Sequence, residues 1–109
     1  VTLKKHDEQD IKIANYFFRP DEKILIDTET KGRIRLTEKE TDILRQLHQA
    51  DQNELSRREL LRDIWGYKEG ISSHTLETHI YRLRKKIEKN SSDAVILITT
   101  ESGYRLTLC

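Results

Sequence analysis

The chain has 109 residues, 36% charged and 35% hydrophobic, with a formal net charge of +1. That length allows one domain with a real core and excludes two, while the composition excludes a membrane-spanning or plainly disordered protein. No apolar run approaches the roughly 20 residues of a transmembrane helix, and the first ten residues lack the apolar segment of a signal peptide.

The one cysteine, Cys109, cannot form an internal disulfide, so a reducing, cytoplasmic setting is expected. No methionine occurs, even at position 1, so a piece of a longer or processed protein is expected. Residues 1–10 are charged and aperiodic, which reads as a linker or tail ahead of a domain over 11–109. Short β-type runs follow at Ile11–Ile13, Tyr16–Arg19, Lys23–Asp27 and Arg33–Leu36, divided by Pro20-Asp21-Glu22 and Thr30-Lys31-Gly32. Consecutive short strands with tight connections predict a small antiparallel sheet.

Helical signals begin at Thr37-Glu-Lys-Glu40, a capping box in which hydroxyl and carboxylate satisfy each other's backbone amides. Ile43, Leu44 and Leu47 form the inward stripe of a first helix to about Gln49. A polar loop, Ala50–Glu54, precedes a second capping box, Ser56-Arg-Arg-Glu59. Leu60, Leu61, Ile64 and Trp65 are the inward face of that second helix, and Gly66 sits at its C-terminal glycine position.

After the loop Tyr67–Ser72, residues 73–89 carry Leu76, Ile80, Leu83 and Ile87 at i, i+4, i+7, i+11, the spacing of a core-facing stripe. At about 100° per residue, the opposite side holds His74, Thr75, Thr78, Tyr81, Arg82, Lys85 and Lys89, with Glu77 and Glu88 falling on the flank. A solvated helix face usually mixes acids with bases; this one has no acid. One apolar face and one basic, hydrogen-bonding face are what a helix lying in the DNA major groove requires. Charge is concentrated accordingly: residues 56–89 hold nine basic and five acidic groups, against ten and twelve in residues 1–55. Lys85, Lys86 and Lys89 are expected to supply diffuse attraction. Two further β-rich runs, Val95–Thr100 and Tyr104–Leu108, flank Glu101-Ser102-Gly103 and predict a hairpin.

Sheet, three helices and terminal hairpin make an α+β fold: a winged helix-turn-helix with an N-terminal antiparallel sheet and a C-terminal β-hairpin wing. Four segments, in this order, carry a family resemblance: Leu36-Thr-Glu-Lys-Glu40, Ser56-Arg-Arg-Glu-Leu-Leu-Arg-Asp-Ile-Trp-Gly66, Thr75-Leu-Glu-Thr-His-Ile-Tyr-Arg-Leu-Arg-Lys-Lys-Ile87 and Gly103-Tyr-Arg-Leu106. From Ile11 to Leu108 the chain resembles the DNA-binding effector domain of OmpR/PhoB-type response regulators, bacterial transcription factors of two-component systems.

The resemblance implies sequence-specific binding of double-stranded DNA, with Arg82 contacting a base and Thr78 and Tyr81 beside it in the groove. It implies backbone contacts from Arg57, Trp65, His79 and Arg84; His74, Thr75 and Lys85 are placed with them. It also implies head-to-tail pairing with a second copy on tandem direct repeats, and control by a phosphorylated receiver domain and a sensor kinase. The loop Tyr67–Ser72 matches a region that meets RNA polymerase in relatives. The chain departs from the family at His74, where arginine is frequent, and at Glu77 and Tyr81. In the wing, Thr100 and Glu101 stand where arginine and glycine are common; threonine cannot enter the minor groove as arginine does, and Glu101 repels phosphate.

Other functions fare poorly. His74 and His79 are five residues apart, about 140° around a helix, whereas helical zinc pairs use a spacing of four. No phosphate-binding glycine loop, nucleophile elbow or isolated carboxylate pair occurs, so neither metal, cofactor nor enzymatic activity is expected. The rival reading is a winged helix used for protein–protein docking without DNA, which predicts apolar groups on the exposed face of the third helix.

Overall fold

A computed structural model describes residues 11–66 and 72–108. The expected tail over 1–10, the loop residues 67–71 and Cys109 fall outside the described residues. The chain forms strands β1 (Ile11–Ile13), β2 (Tyr16–Arg19), β3 (Ile24–Asp27) and β4 (Arg33–Arg35), then helix α1 (Glu38–Gln49). Strand β5 (Glu54–Ser56) leads into α2, which begins as Arg57–Leu60 and continues through a wider π-type turn at Leu61–Trp65. Helix α3 (Ser73–Ile87) and strands β6 (Leu97–Thr99) and β7 (Gly103–Leu106) complete it. This is the winged helix-turn-helix the sequence predicts.

The first four strands pair in order as an antiparallel meander, with Phe18 opposite Leu25 and Leu25 opposite Ile34. Ile13, Phe18 and Leu25 project to one face and are almost fully buried against Ile43, Leu44, Leu47, Leu76, Ile80 and Leu83 from the helices. The apolar seam of α3 therefore points inward along its whole length. Both capping boxes form: Thr37 Oγ1 accepts from the Glu40 amide (3.2 Å) while Glu40 accepts from the Thr37 amide (2.8 Å). Ser56 and Glu59 repeat this at 3.0 and 2.9 Å. Gly66 ends α2 with φ of +70°, a left-handed cap that glycine adopts without strain.

Several boundaries differ from the sequence reading. The expected two-stranded hairpin is a three-stranded sheet in the order β5–β7–β6, because Glu54–Ser56, read as loop and cap, pairs with Gly103–Arg105. Three residues without alternation give too short a signal to separate a strand from a loop. At Gly103 a side chain would overlap the Leu55 carbonyl oxygen and come within 2.6 Å of Ser56 Cα, so the close approach of β5 and β7 requires glycine. Leu36 lies beyond β4, and α3 stops at Ile87 rather than Lys89.

The reason for that stop corrects another expectation. Glu88 is not on a helix flank; it is buried, and its carboxylate accepts from the amides of Val95, Ile96 and Leu97 at 2.7–3.3 Å. Tyr16 donates its hydroxyl to the Ile87 carbonyl (3.0 Å), so the first sheet closes the same helix end. Burial, with the charges of Asp27 and Glu88 nearby, pushes the Tyr16 pKa up and keeps it the neutral donor.

Candidate nucleic-acid interface

Because its aliphatic seam is buried, α3 turns His74, Tyr81, Arg82 and Lys85 outward as exposed side chains, with Thr75 and Thr78 half-buried beside them; Lys89, expected on the same face, is exposed beyond the helix end. Arg82 makes no hydrogen bond or ion pair with the described residues, so its guanidinium keeps all five donors. Tyr81 is 58% exposed, and the Lys85 ammonium stands 5.3 Å from its ring centre, which covers the ring and steadies the lysine. Thr78 donates its hydroxyl back to the His74 carbonyl (3.0 Å), leaving lone pairs and a methyl to face outward.

The N-terminus of α3 is unlike those of α1 and α2. Ser72 makes no side-chain cap and the first turn has no acid; the Thr75 amide donates to the Ser72 carbonyl (3.0 Å), and the amides of Ser73 and His74 have no acceptor among the described residues.

Trp65 lies where α2 meets α3. The residue is only 8% exposed and belongs to the core, its ring packing 5.3 Å from the His79 ring at a 50° tilt. The indole N–H has no acceptor among the described residues, yet no buried polar atom among them goes unpaired, so the N–H edge reaches the surface. Burial, then the charges of Arg82 and Lys39 against the opposing pull of Glu40, holds the His79 pKa below the ordinary histidine value. His79 is thus a neutral imidazole at pH 7.

The remaining expected residues are anchored in the fold. Arg84 donates to the Leu97 carbonyl (2.9 Å) and the Thr99 hydroxyl (2.8 Å) of β6, and lies 5.7 Å from the Tyr104 ring. Arg57 lies 5.3 Å from the same ring, and its amide donates to the Ser102 carbonyl (3.0 Å). The two arginines therefore flank Tyr104 and bind the wing to α2 and α3. Thr100 is spent on the turn, its hydroxyl accepting from the Gly103 amide (3.1 Å), while Glu101 and Ser102 are exposed at the tip.

Lys86 departs from its expected role as diffuse positive charge. Its ammonium donates to the Glu40 carboxylate (2.7 Å) and the Arg35 carbonyl (2.9 Å), joining α3 to α1 and β4. Glu40 is 1% exposed, so the pair neutralises a buried acid. The reading face thus brings together His74, Thr75, Thr78, Tyr81, Arg82 and Lys85; Trp65 and His79 adjoin it, and Arg57 and Arg84 sit under the wing.

Comparison with known proteins gives a consistent picture. The family described as "Transcriptional regulatory protein, C terminal" matches residues 30–106. The sensory transduction protein BceR of Bacillus subtilis is 36% identical over 74 residues, covering 68% of this chain and 32% of BceR. The chain spans about a third of the length of the curated relatives it matches. Among solved structures, the DNA-binding domain of Bacillus subtilis CssR superposes with a TM-score of 0.69 at 26% identity, covering 84% of this chain and 99% of that one. The Klebsiella pneumoniae RstA DNA-binding domain, solved in complex with the RstA box, reaches a TM-score of 0.76 over 93% of this chain and 99% of that one; at 20% identity this shows a shared fold.

Proposed function

Given that the chain belongs to the family of C-terminal domains of transcriptional regulatory proteins, we propose that it binds double-stranded DNA sequence-specifically, as the effector domain of an OmpR/PhoB-type response regulator, and carries out no chemistry. The observation that carries this is α3: a seam buried to 3% exposure or less, and an opposite face of Arg82, Tyr81, Lys85 and hydrogen-bonding neighbours without an acid. In the major groove, Arg82 reads guanine O6 and N7 with a bidentate fork, and Thr78 and Tyr81 contact neighbouring bases. Lys85, His74, Thr75 and the leading Ser73 and His74 amides engage phosphates along one groove wall. Trp65 and His79 meet the other wall, with Arg57 and Arg84 toward the wing. The wing tip contributes little, because Thr100 is internally bonded and Glu101 repels phosphate.

The rival docking reading expects an apolar outer face on α3. Tyr81 is the one exposed aromatic there, and Lys85 covers its ring.

The finer assignments rest on family resemblance: two copies head to tail on direct repeats, a receiver domain answering to a sensor kinase, a cytoplasmic setting, and RNA polymerase contact through the loop 67–72. No helix among the described residues is long and apolar enough to cross a membrane. Selection of bound sites from a random duplex pool tests the proposal, because a DNA reader enriches one motif. Enrichment of none, with binding to arbitrary duplex indifferent to salt, would falsify it; each phosphate neutralised contributes about −0.9 to the log–log salt slope.

A further inference from the structure

Three helices converge on Trp65, and the contribution of α1 is not explained by the reading face of α3. Lys39, in the first turn of α1, places its ammonium 5.4 Å from the Trp65 ring centre and donates one hydrogen bond to the Ile64 carbonyl at 3.3 Å. An ammonium has three donors, and Lys39 makes no ion pair within the described residues. The adjacent acid, Glu40, does not compensate it, because Lys86 already holds that carboxylate. His79 packs on the same tryptophan, and neither its ring nitrogens nor the surface-facing Trp65 N–H has a hydrogen-bond partner among the described residues. Open donors from α1, α2 and α3 thus surround one spot with no carboxylate among them.

We propose that Lys39, the Trp65 indole N–H and His79 form a pocket for one backbone phosphate diester of bound DNA, making α1 part of the DNA-contacting surface. The inference rests on the DNA-binding reading and adds to it a contact outside the helix-turn-helix unit. The depressed His79 pKa is in keeping with it: burial lowers it first, and the charges of Arg82 and Lys39 lower it further against the opposing pull of Glu40. In the sequence, Lys39 is masked by its place inside the Thr37–Glu40 capping box, where it reads as an ordinary first-turn residue.

Trp65 is the only tryptophan, so its fluorescence reports on this pocket alone. The test titrates a short duplex of arbitrary sequence into the protein across a salt series, following DNA by anisotropy and Trp65 by its emission and by iodide quenching. The expected result is that DNA shields Trp65 from iodide. Lys39→Gln weakens binding and makes the log–log slope shallower by about 0.9, and Lys39→Arg restores both. A duplex with one phosphate replaced by neutral methylphosphonate, scanned along the strand, contains one position at which Lys39→Gln has no further effect.

An unchanged slope for Lys39→Gln, with Trp65 still open to iodide in the complex, overturns the pocket and leaves Lys39 as a cap on the end of α2; a lowered melting temperature alone does not support it. If wild-type binding is itself flat with salt, the DNA-binding reading fails, and the two failures are distinct.

Discussion

Arg82 and Lys85 share the exposed face of α3, yet their chemistry differs. A guanidinium fork matches two acceptors on guanine at fixed geometry, whereas an ammonium on a flexible stem is a point charge. Arg82→Ala is expected to cost about 1–3 kcal/mol on the preferred site and to relax preference at one base position. Lys85→Ala, freed from its perch over Tyr81, weakens all sequences about equally and reduces the salt slope by about 1. Binding measured on a panel of single-base variants separates them, and the reverse pattern means the roles are exchanged.

At the same scale His79 gives two pH effects of opposite sign. Its folded-state pKa is below the ordinary value, first through burial and then through Arg82, so between the two values the unfolded chain binds more protons. The stability it confers is full above about pH 6.5 and falls as pH drops below that, levelling off under the folded-state pKa. A bound phosphate favours the imidazolium, so DNA affinity rises as pH falls through the same range. Urea melts and binding curves at pH 7.5 and 5.5 should therefore move in opposite directions, and His79→Gln should flatten the His79 part of both. Parallel movement would place His79 away from phosphate.

Among elements, the helices were legible in the sequence and the second sheet was not. Capping boxes at Thr37 and Ser56, the αL glycine at 66 and the seam Leu76–Ile80–Leu83–Ile87 are local signals, each confined to one helical turn or one stripe. The β5–β7 pairing joins residues about fifty apart through strands of three and four residues, and nothing within either strand announces its partner. Gly103 holds the only hint, since its backbone lies against Leu55 and Ser56. Gly103→Ala must push β5 from β7 and is expected to destabilise the fold by about 1–3 kcal/mol or more, while Ser102→Ala at the exposed tip changes little. Denaturant unfolding decides this; equal midpoints for the two variants would mean that the strands part without cost.

Glu88 and Lys86 show the same limit from the side of charge. Both look like solvated helix residues by spacing, and both are structural. Glu88 gathers three amides once the helix has ended, and Lys86 finds Glu40 forty-six residues away. Periodicity reports which face a residue occupies on its own helix; it carries no information about what lies opposite. For that reason Arg82 and its neighbours were identified from the wheel, whereas Lys39 and Lys86 emerged from tertiary contacts.

For the whole molecule, a net charge of +1 concentrated around α3 implies local rather than global attraction for DNA. On the proposed reading a single α3 offers three base-reading side chains, Thr78, Tyr81 and Arg82, too few to select one site in a genome, so the proposed head-to-tail pair has a thermodynamic purpose. The second copy must land on the same face of the duplex to touch the first. Half-site centres one helical turn apart, about 10–10.5 base pairs, satisfy that, and inserting about 5 base pairs turns the second site to the opposite face. On a duplex with two direct half-sites, binding is expected to be cooperative. The added half turn should abolish the cooperativity while leaving the affinity of each half-site unchanged. Equal binding to single and tandem sites, or preference for an inverted repeat, would exclude the head-to-tail arrangement and point to a symmetric pair, which cannot present the same face of each copy to a direct repeat.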